Sequence, residues 1–311
     1  MKFHMKRDLL ILTTDKPGHY KSYGELCRSL RGRGEVLPSA PLSTIFACKK
    51  LVLIDGDSRH LLLFPVVVLR ALMGRSTVFL SVRTEDFLES RIKSRIKKTL
   101  VRLLIRFHRV KFISIHYPSF NIYEGKLVSR CIYDPQLWDL PFIDQSVDFP
   151  PELQVSPGYL LVLGTLNDKR CKDELIDALP ELTEIDIVFA GKMSEEDECK
   201  ITRFKNIVSI NRYVSDAEIL GLYKRAGAVY AFYDASVMRP SGIFGRAIQN
   251  NCPVIVRSGG YLDDQYGHFA KTISISAISD LKHILKSSDI GFLGLDGCET
   301  FDHSEILRSY L

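Results

Sequence analysis

The chain has 311 residues, 46% apolar and 25% charged, which is room for two ordinary domains with a sizeable core. That balance excludes a disordered, fibrous or disulfide-stapled chain. The net charge of +5 is a cancellation: Ser90 to Arg130 holds eleven basic residues against one acid, Glu124, a net +10 that leaves −5 for the rest.

In chain order, short apolar runs alternate with helical patterns. DLLILTT reads as a strand, followed by a turn at Gly18 and a helix over Tyr23 to Leu30. KKLVLID is a strand and Leu61 to Met73 a buried helix. STVFLSV is a strand, Phe87 to Val110 a long helix, and KFISIHY and LVSRCIY two further strands. Pro141 to Pro157 carries four prolines without periodicity and reads as an interdomain joint. The alternation then restarts: YLLVLGT, DIVFAG, NIVSIN, AVYAFY and CPVIVRS as strands. Helices are expected over 172–179, 216–226, 244–250 and 278–286, before a tail ending in SEILRSYL. Strands alternating with helices predict parallel, doubly wound sheets, one in each of two domains, 1–148 and 149–311. The last residues can pack back on the first domain.

Seven cysteines are scattered singly with no metal-ligand spacing, which points to reduced, intracellular thiols. The N-terminal apolar run, Leu9 to Leu12, is shorter than a signal h-region. The most apolar window, Leu61 to Met73, contains Pro65 and Arg70 and falls short of the roughly 20 residues that span a bilayer.

From Tyr159 onward the local signatures resemble the donor domain of GT-B glycosyltransferases, specifically family 4. The segments that carry the resemblance are LVLGTLNDKRCKDELIDALPEL, DIVFAGK, IVSINRYVSDAEILGLYKRAG and NCPVIVRSGGYLDD. In the first half, PGHYKSYGELCRSLRGRGEV and VSRCIYDPQLWD are similar to the family's glycine loop and its pre-linker segment. The resemblance implies two Rossmann-like domains facing across a cleft, with donor in the second and acceptor in the first. It implies a sugar moved with retention from a nucleotide diphosphate to another molecule, with no metal and no further cofactor.

The donor residues follow from that resemblance and from anion chemistry. A diphosphate is favoured where backbone amides and a helix N-terminus converge beyond strand ends. RPSGIFGRA offers Arg239, Arg246 and the amides of Ser241 and Gly242; Gly164 and Lys169 approach from the neighbouring strand end. Gly18, Gly191 and Gly259 mark the other turns, and the loop Arg212–Val214, with Tyr213, would lie against the base. The chain also departs from the family, which usually carries two glutamates eight residues apart. Those places hold Met238 and Arg246 by one count, Gly242 and Asn250 by another. The Gly-Arg arginine is Thr165, and Lys-Gly has become Lys169-Arg170. Arg239 and Arg246 read as substitutes for the lost phosphate arginine. The same losses suit a transferase-like scaffold that no longer binds donor.

In the first domain the family's acceptor-side histidine falls at Arg83, followed by Thr84, Glu85 and Asp86. Glu85 or Asp86 could act as base to an acceptor hydroxyl if burial raised its pKa, or could simply favour a helix N-terminus. His19 and His116 are alternatives. A rival reading takes Asp55 and Asp57 of LVLIDGDSRH as a D-x-D metal motif of GT-A enzymes holding Mn²⁺ or Mg²⁺. Finally, RIKSRIKKTLVRLLIRFHRVK is an amphipathic helix with nine basic residues and no acid. It is a solvated helix, a membrane-surface helix using Lys93, Lys97, Lys98 and Arg102 on anionic lipid, or, ranked last, a nucleic-acid contact. With the resemblance, it points to a lipid-linked glycan acceptor at the cytoplasmic membrane face.

Overall fold

The computed structural model describes residues 8–13, 19–54, 56–81, 92–115, 128–137, 146–269, 271–286 and 304–311. The chain divides into two compact units, Met1–Pro135 with Phe301–Leu311, and Gln136–Thr300.

In the first unit, strands β1 (Leu9–Leu12), β2 (Glu35–Leu37), β3 (Lys50–Ile54), β4 (Ser76–Ser81), β5 (Val110–Ile115) and β6 (Arg130–Ile132) form one parallel sheet in the order β2-β1-β3-β4-β5-β6. The central strands are continuous apolar runs because helices cover both faces of such a sheet. Leu51, Leu53, Phe79 and Phe112 are almost wholly buried and share a core with Val67, Val101 and Leu104 from the helices. Those helices are α1 (His19–Arg31), α2 (Leu42–Ala47), α3 (Gly56–Leu72) and α4 (Ile92–Leu104).

Two expectations fail here. The basic helix stops at Leu104: the amides of Arg106 and Phe107 turn to carbonyls three residues back, and Ile105 and Phe107 fold onto the core. No Gly or Pro marks that end, so periodicity alone overruns it. The window 61–73, expected to be buried, belongs to α3, and Leu69, Leu72 and Met73 lie open to solvent.

The second unit repeats the plan. Strands β7 (Tyr159–Leu163), β8 (Ile187–Ala190), β9 (Ile207–Ile210), β10 (Ala226–Tyr230), β11 (Val254–Arg257) and β12 (Thr272–Ile275) form a parallel sheet ordered β12-β11-β10-β7-β8-β9. Its helices are α5 (Lys172–Ala178), α6 (Glu195–Ile201), α7 (Asp216–Arg225), α8 (Gly242–Gln249), α9 (Tyr261–Tyr266) and α10 (Leu281–Lys286). The final helix, α11 (Ser304–Tyr310), packs on α1 of the first unit, where Lys50 Nζ donates to the carbonyl of Tyr310 at 3.0 Å. Two doubly wound parallel sheets are the architecture that the GT-B resemblance implies. The described part of the Pro-rich stretch, from Ser146 on, belongs to the second unit.

Candidate functional site in the second unit

From β7 the sheet grows in one direction through β8 and β9, and in the other through β10 to β12. The crevice beyond the carboxyl ends of β7 and β10 is therefore a topological switch point, the usual ligand position in an open α/β sheet.

Two glycines shape it. Gly164, just after β7, has φ +83°, and its amide donates to the carbonyl of Ala190 at 2.7 Å. Gly191, just after β8, has φ +139°, and a Cβ there would stand 2.8 Å from the carbonyl carbon and oxygen of Gly164. Only glycine allows these two turns to press backbone on backbone.

The chain next makes a single 3₁₀ turn, Asp168–Arg170, and leaves it through Cys171 in the left-handed region at φ 49°. That tight turn sends neighbouring side chains in opposite directions: Lys169 is exposed and Arg170 is 3% exposed. The Arg170 guanidinium bridges the switch point, donating from Nη1 to the carbonyl of Leu163, the last residue of β7. Its Nη2 donates to the carbonyl of Tyr230, the last residue of β10, at 2.8 Å. The Tyr230 hydroxyl donates to the carbonyl of Arg170 at 3.1 Å, and the rings of Tyr230 and Tyr233 lie 5.8 and 5.9 Å from the guanidinium carbon. Arg170 Nε is buried without a hydrogen-bond partner, and no described carboxylate pairs with the charge. Leaving a buried cation in this state is costly unless something else supplies negative potential.

Further cations surround this point. The amide of Asp234 donates to the carbonyl of Lys169 at 2.9 Å, tying the loop after β10 to the turn after β7. Arg239 stands half-buried in a cleft with Tyr233, Arg257 and Tyr261, and its side chain has no hydrogen bond or ion pair among the described residues. Arg257 lies 4.3 Å from the centre of the Phe232 ring and donates to the carbonyl of Tyr233 at 3.0 Å, with Glu174 3.5 Å away. The Asp234 carboxylate is occupied within its own turn by the amide and hydroxyl of Ser236; that hydroxyl, with the amide, holds its pKa below the ordinary value. Lys169, Arg170, Arg239 and Arg257 thus stand beside Asp234, held by Ser236, Glu174, paired with Arg257, and the exposed Asp168 of the turn.

Helix α8 begins at the same edge. Ser241 is its N-cap, accepting the Phe244 amide at 3.3 Å and lying 2.8 Å from the Tyr233 hydroxyl. The amides of Gly242 and Ile243 keep no partner among the described residues. Arg246 does not join them. It is the fifth residue of α8, 8% exposed, and its Nη1 donates to Gln249 Oε1 at 2.6 Å, one turn beyond the open amides.

The remaining expected donor residues spread outward. Gly259 turns the chain after β11 at φ +67°, with its amide on Asp263 Oδ2 at 2.8 Å. Tyr213 is exposed after β9, two strands from β7. Its neighbour Arg212 is clamped between carboxylates: Nε and Nη2 reach Glu152 at 2.8 and 2.9 Å, and Nη2 and Nη1 reach Glu218 at 2.6 and 3.1 Å. Glu218 also closes a capping box with Ser215 at the start of α7. The Arg212 guanidinium, more than any other neighbour, pulls the Glu218 pKa down to about 2.

Of the first-unit candidates, Gly18, Asp55, Arg83, Glu85, Asp86 and His116 lie outside the described residues. The side chains of His19, Asp57, Lys93 and Lys97 do too, although their backbones belong to α1, α3 and α4. On α4, Lys98 is half-buried and Arg102 exposed. Arg170 is the residue of this candidate site that sequence reasoning did not single out. Its one signal was a basic residue where the family carries glycine.

No protein-family model and no curated protein matches the sequence. Among solved structures the chain is similar to HepE of Anabaena in complex with UDP, with a TM-score of 0.61 at 12% identity over 97% of this chain and 94% of that one. It is similar to S. aureus MnaA in a structure with UDP, with a TM-score of 0.55 at 11% identity over 98% and 90%. Sucrose-phosphate synthase of Thermosynechococcus elongatus gives a TM-score of 0.54 at 11% identity over 97% and 93%. At such identities the likeness is one of fold, and the fold is GT-B: two Rossmann-like domains in tandem.

Proposed function

We propose that this GT-B chain is a glycosyltransferase. It moves a sugar from a nucleotide diphosphate donor, held by the second unit, to a lipid-linked glycan or polysaccharide at the cytoplasmic membrane face, with retention of configuration. The observation that carries this is the surplus of positive charge at the β7–β10 switch point, where Lys169, Arg170 and Arg239 meet the open start of α8. Such a site suits a diphosphate, which concentrates negative charge on oxygens that guanidinium groups and backbone amides can hold. The UDP in the HepE and MnaA structures supports the same ligand class.

The chemistry asked of these residues is electrostatic. As the glycosidic bond to phosphate breaks, charge builds on the departing diphosphate, and preorganised donors stabilise it more than they stabilise bound donor. Lys169, Arg239 and the Gly242 and Ile243 amides supply those donors, while Arg170 holds the strand ends in register beneath them. Arg246 supports α8 from inside. The proposal calls for no metal or further cofactor, because the charge opposite the diphosphate is the chain's own. The acceptor base is proposed from the first unit, Glu85 or Asp86 beside Arg83, with His19 as the alternative.

Calorimetric titration with UDP, GDP and dTDP tests the donor assignment. One of the three is expected to bind, and Arg239→Ala to bind it about tenfold or more weakly. Absence of binding by all three would overturn the enzyme reading. The missing glutamates would then favour a donor-free scaffold.

The membrane face rests on α4, which presents Arg95 and Arg102 to solvent, with Arg106 exposed just past its end. Among the described residues no helix is long and apolar enough to cross a membrane, so any contact by them is peripheral.

A further inference from the structure

A helix on the surface of a water-soluble unit normally shows a polar outer face. Helix α3 does not. Its inner side is anchored by Val67 and Arg70, both fully buried, while Pro65, Leu69, Leu72 and Met73 recur at helical spacing on the outside. Leu69, Leu72 and Met73 are 51%, 70% and 58% exposed. The neighbouring α4 packs alongside, and it too exposes apolar residues one heptad apart, Ile96 and Leu103. Both helices follow consecutive strands of one parallel sheet, so right-handed crossovers place them on the same face.

The stretches of chain that carry this apolar patch hold charge of one sign. Residues 58–84 and 90–123 contain no acid at all, whereas Arg95, Arg102 and Arg106 stand exposed along and just beyond α4. A second copy of the chain would have to bring one cationic surface against another, since a two-fold contact pairs the same patch with itself. An anionic bilayer offers the complement of both features: headgroup charge for the arginines and a hydrocarbon boundary for the leucines.

We infer that the outer face of α3, through Leu69, Leu72 and Met73, inserts into an anionic lipid surface to which α4 is drawn by its charge. This rests on the membrane reading above and adds the element that enters the lipid. Attraction and insertion are thereby divided between two helices: neutralising α4 should weaken binding in a salt-dependent way, while removing the α3 leucines should weaken it at any salt concentration.

The test is sedimentation of the full chain with phosphatidylcholine vesicles, with and without phosphatidylglycerol, alongside a variant carrying Leu69→Ser, Leu72→Ser and Met73→Ser. Wild type is expected to sediment only with the anionic vesicles. The triple variant should bind at least about tenfold more weakly with an unchanged melting curve. Leu72→Trp, which needs no loss of apolar surface, should show a blue-shifted emission on adding anionic vesicles. Equal binding by the triple variant, or an unshifted Leu72→Trp spectrum, would overturn the insertion while leaving membrane attachment standing. Failure of wild type to sediment with any vesicle would overturn attachment and insertion together. A wild-type dimer that the triple variant converts to monomer would assign the face to a second copy instead.

Discussion

Among the described residues, Arg70 of the first unit and Arg170 of the second are buried with no carboxylate paired to them, and the two are satisfied differently. Arg70 of the first unit is fully buried at the amino-terminal edge of its sheet. Its Nε donates to Thr77 Oγ1 at 3.2 Å, Nη2 to the carbonyl of Ser76 at 2.8 Å, and Nη1 to the carbonyls of Ile45 and, at 3.2 Å, Cys48 at the end of α2. The Ile45 and Cys48 carbonyls lie at the negative end of α2, so the charge is answered by backbone carbonyls and the Thr77 hydroxyl, with no carboxylate. Arg170 of the second unit sits at the opposite, carboxyl-terminal edge, spanning two strand ends, with Nε left open. A closed set of bonds marks a structural staple. An open set beside two glycine turns fits the anion site proposed for the second unit.

Substitutions can break that contrast. Arg70→Met leaves a group of buried carbonyls without donors and should cost about 3–5 kcal/mol in urea unfolding, with nucleotide affinity unchanged in the folded protein. Gly191→Ala should come next, at about 2–4 kcal/mol, because a left-handed backbone and a collision with Gly164 add up. It should also impair nucleotide binding by displacing the Gly164 turn. Arg170→Met should destabilise less than Arg70→Met, by about 1–2 kcal/mol, since it also removes an unsatisfied nitrogen. It should nevertheless weaken nucleotide binding in titration. If the two arginine variants behaved alike in both measurements, the distinction between staple and site would fail.

The smallest expected effect concerns Arg212, whose charge is closed by carboxylates. The Glu218 pKa is lowered from 4.5 to about 2, so the pair's contribution is complete above about 4.5 and disappears as pH falls toward 2. Glu218→Gln should therefore flatten the acid limb of the stability curve over that interval and leave it unchanged near neutrality, apart from a constant offset. Thermal melts across the acid range would show it.

Much of the second unit was legible locally. β7 and β8 are uninterrupted buried runs, and the Ser215–Glu218 spacing announces the start of α7. What stayed hidden were short edge elements. β2 and β12 lie at sheet edges, are mostly only half-buried, and exist because β1 and β11 offer them a ladder. In the candidate site, the position of Gly164, Lys169, Arg239, Ser241 and Gly242 on loops beyond strand ends was legible, because such loops converge in this class of sheet. The burial of Arg246 was not legible, because a linear pattern does not say which side of α8 faces inward.

By itself, then, the sequence determined the two parallel sheets, most of the strands that build them and the existence of the basic helix, since these follow from hydrophobic period and local charge. The tertiary structure decided which charges are answered. Whether Arg170 turns inward and Lys169 outward depends on a single 3₁₀ turn and on a carbonyl of β10 sixty residues away. Whether the leucines of α3 are core or surface depends on how far the sheet beneath them reaches. Both are questions of distance between parts of the chain remote in sequence, which composition and spacing do not contain.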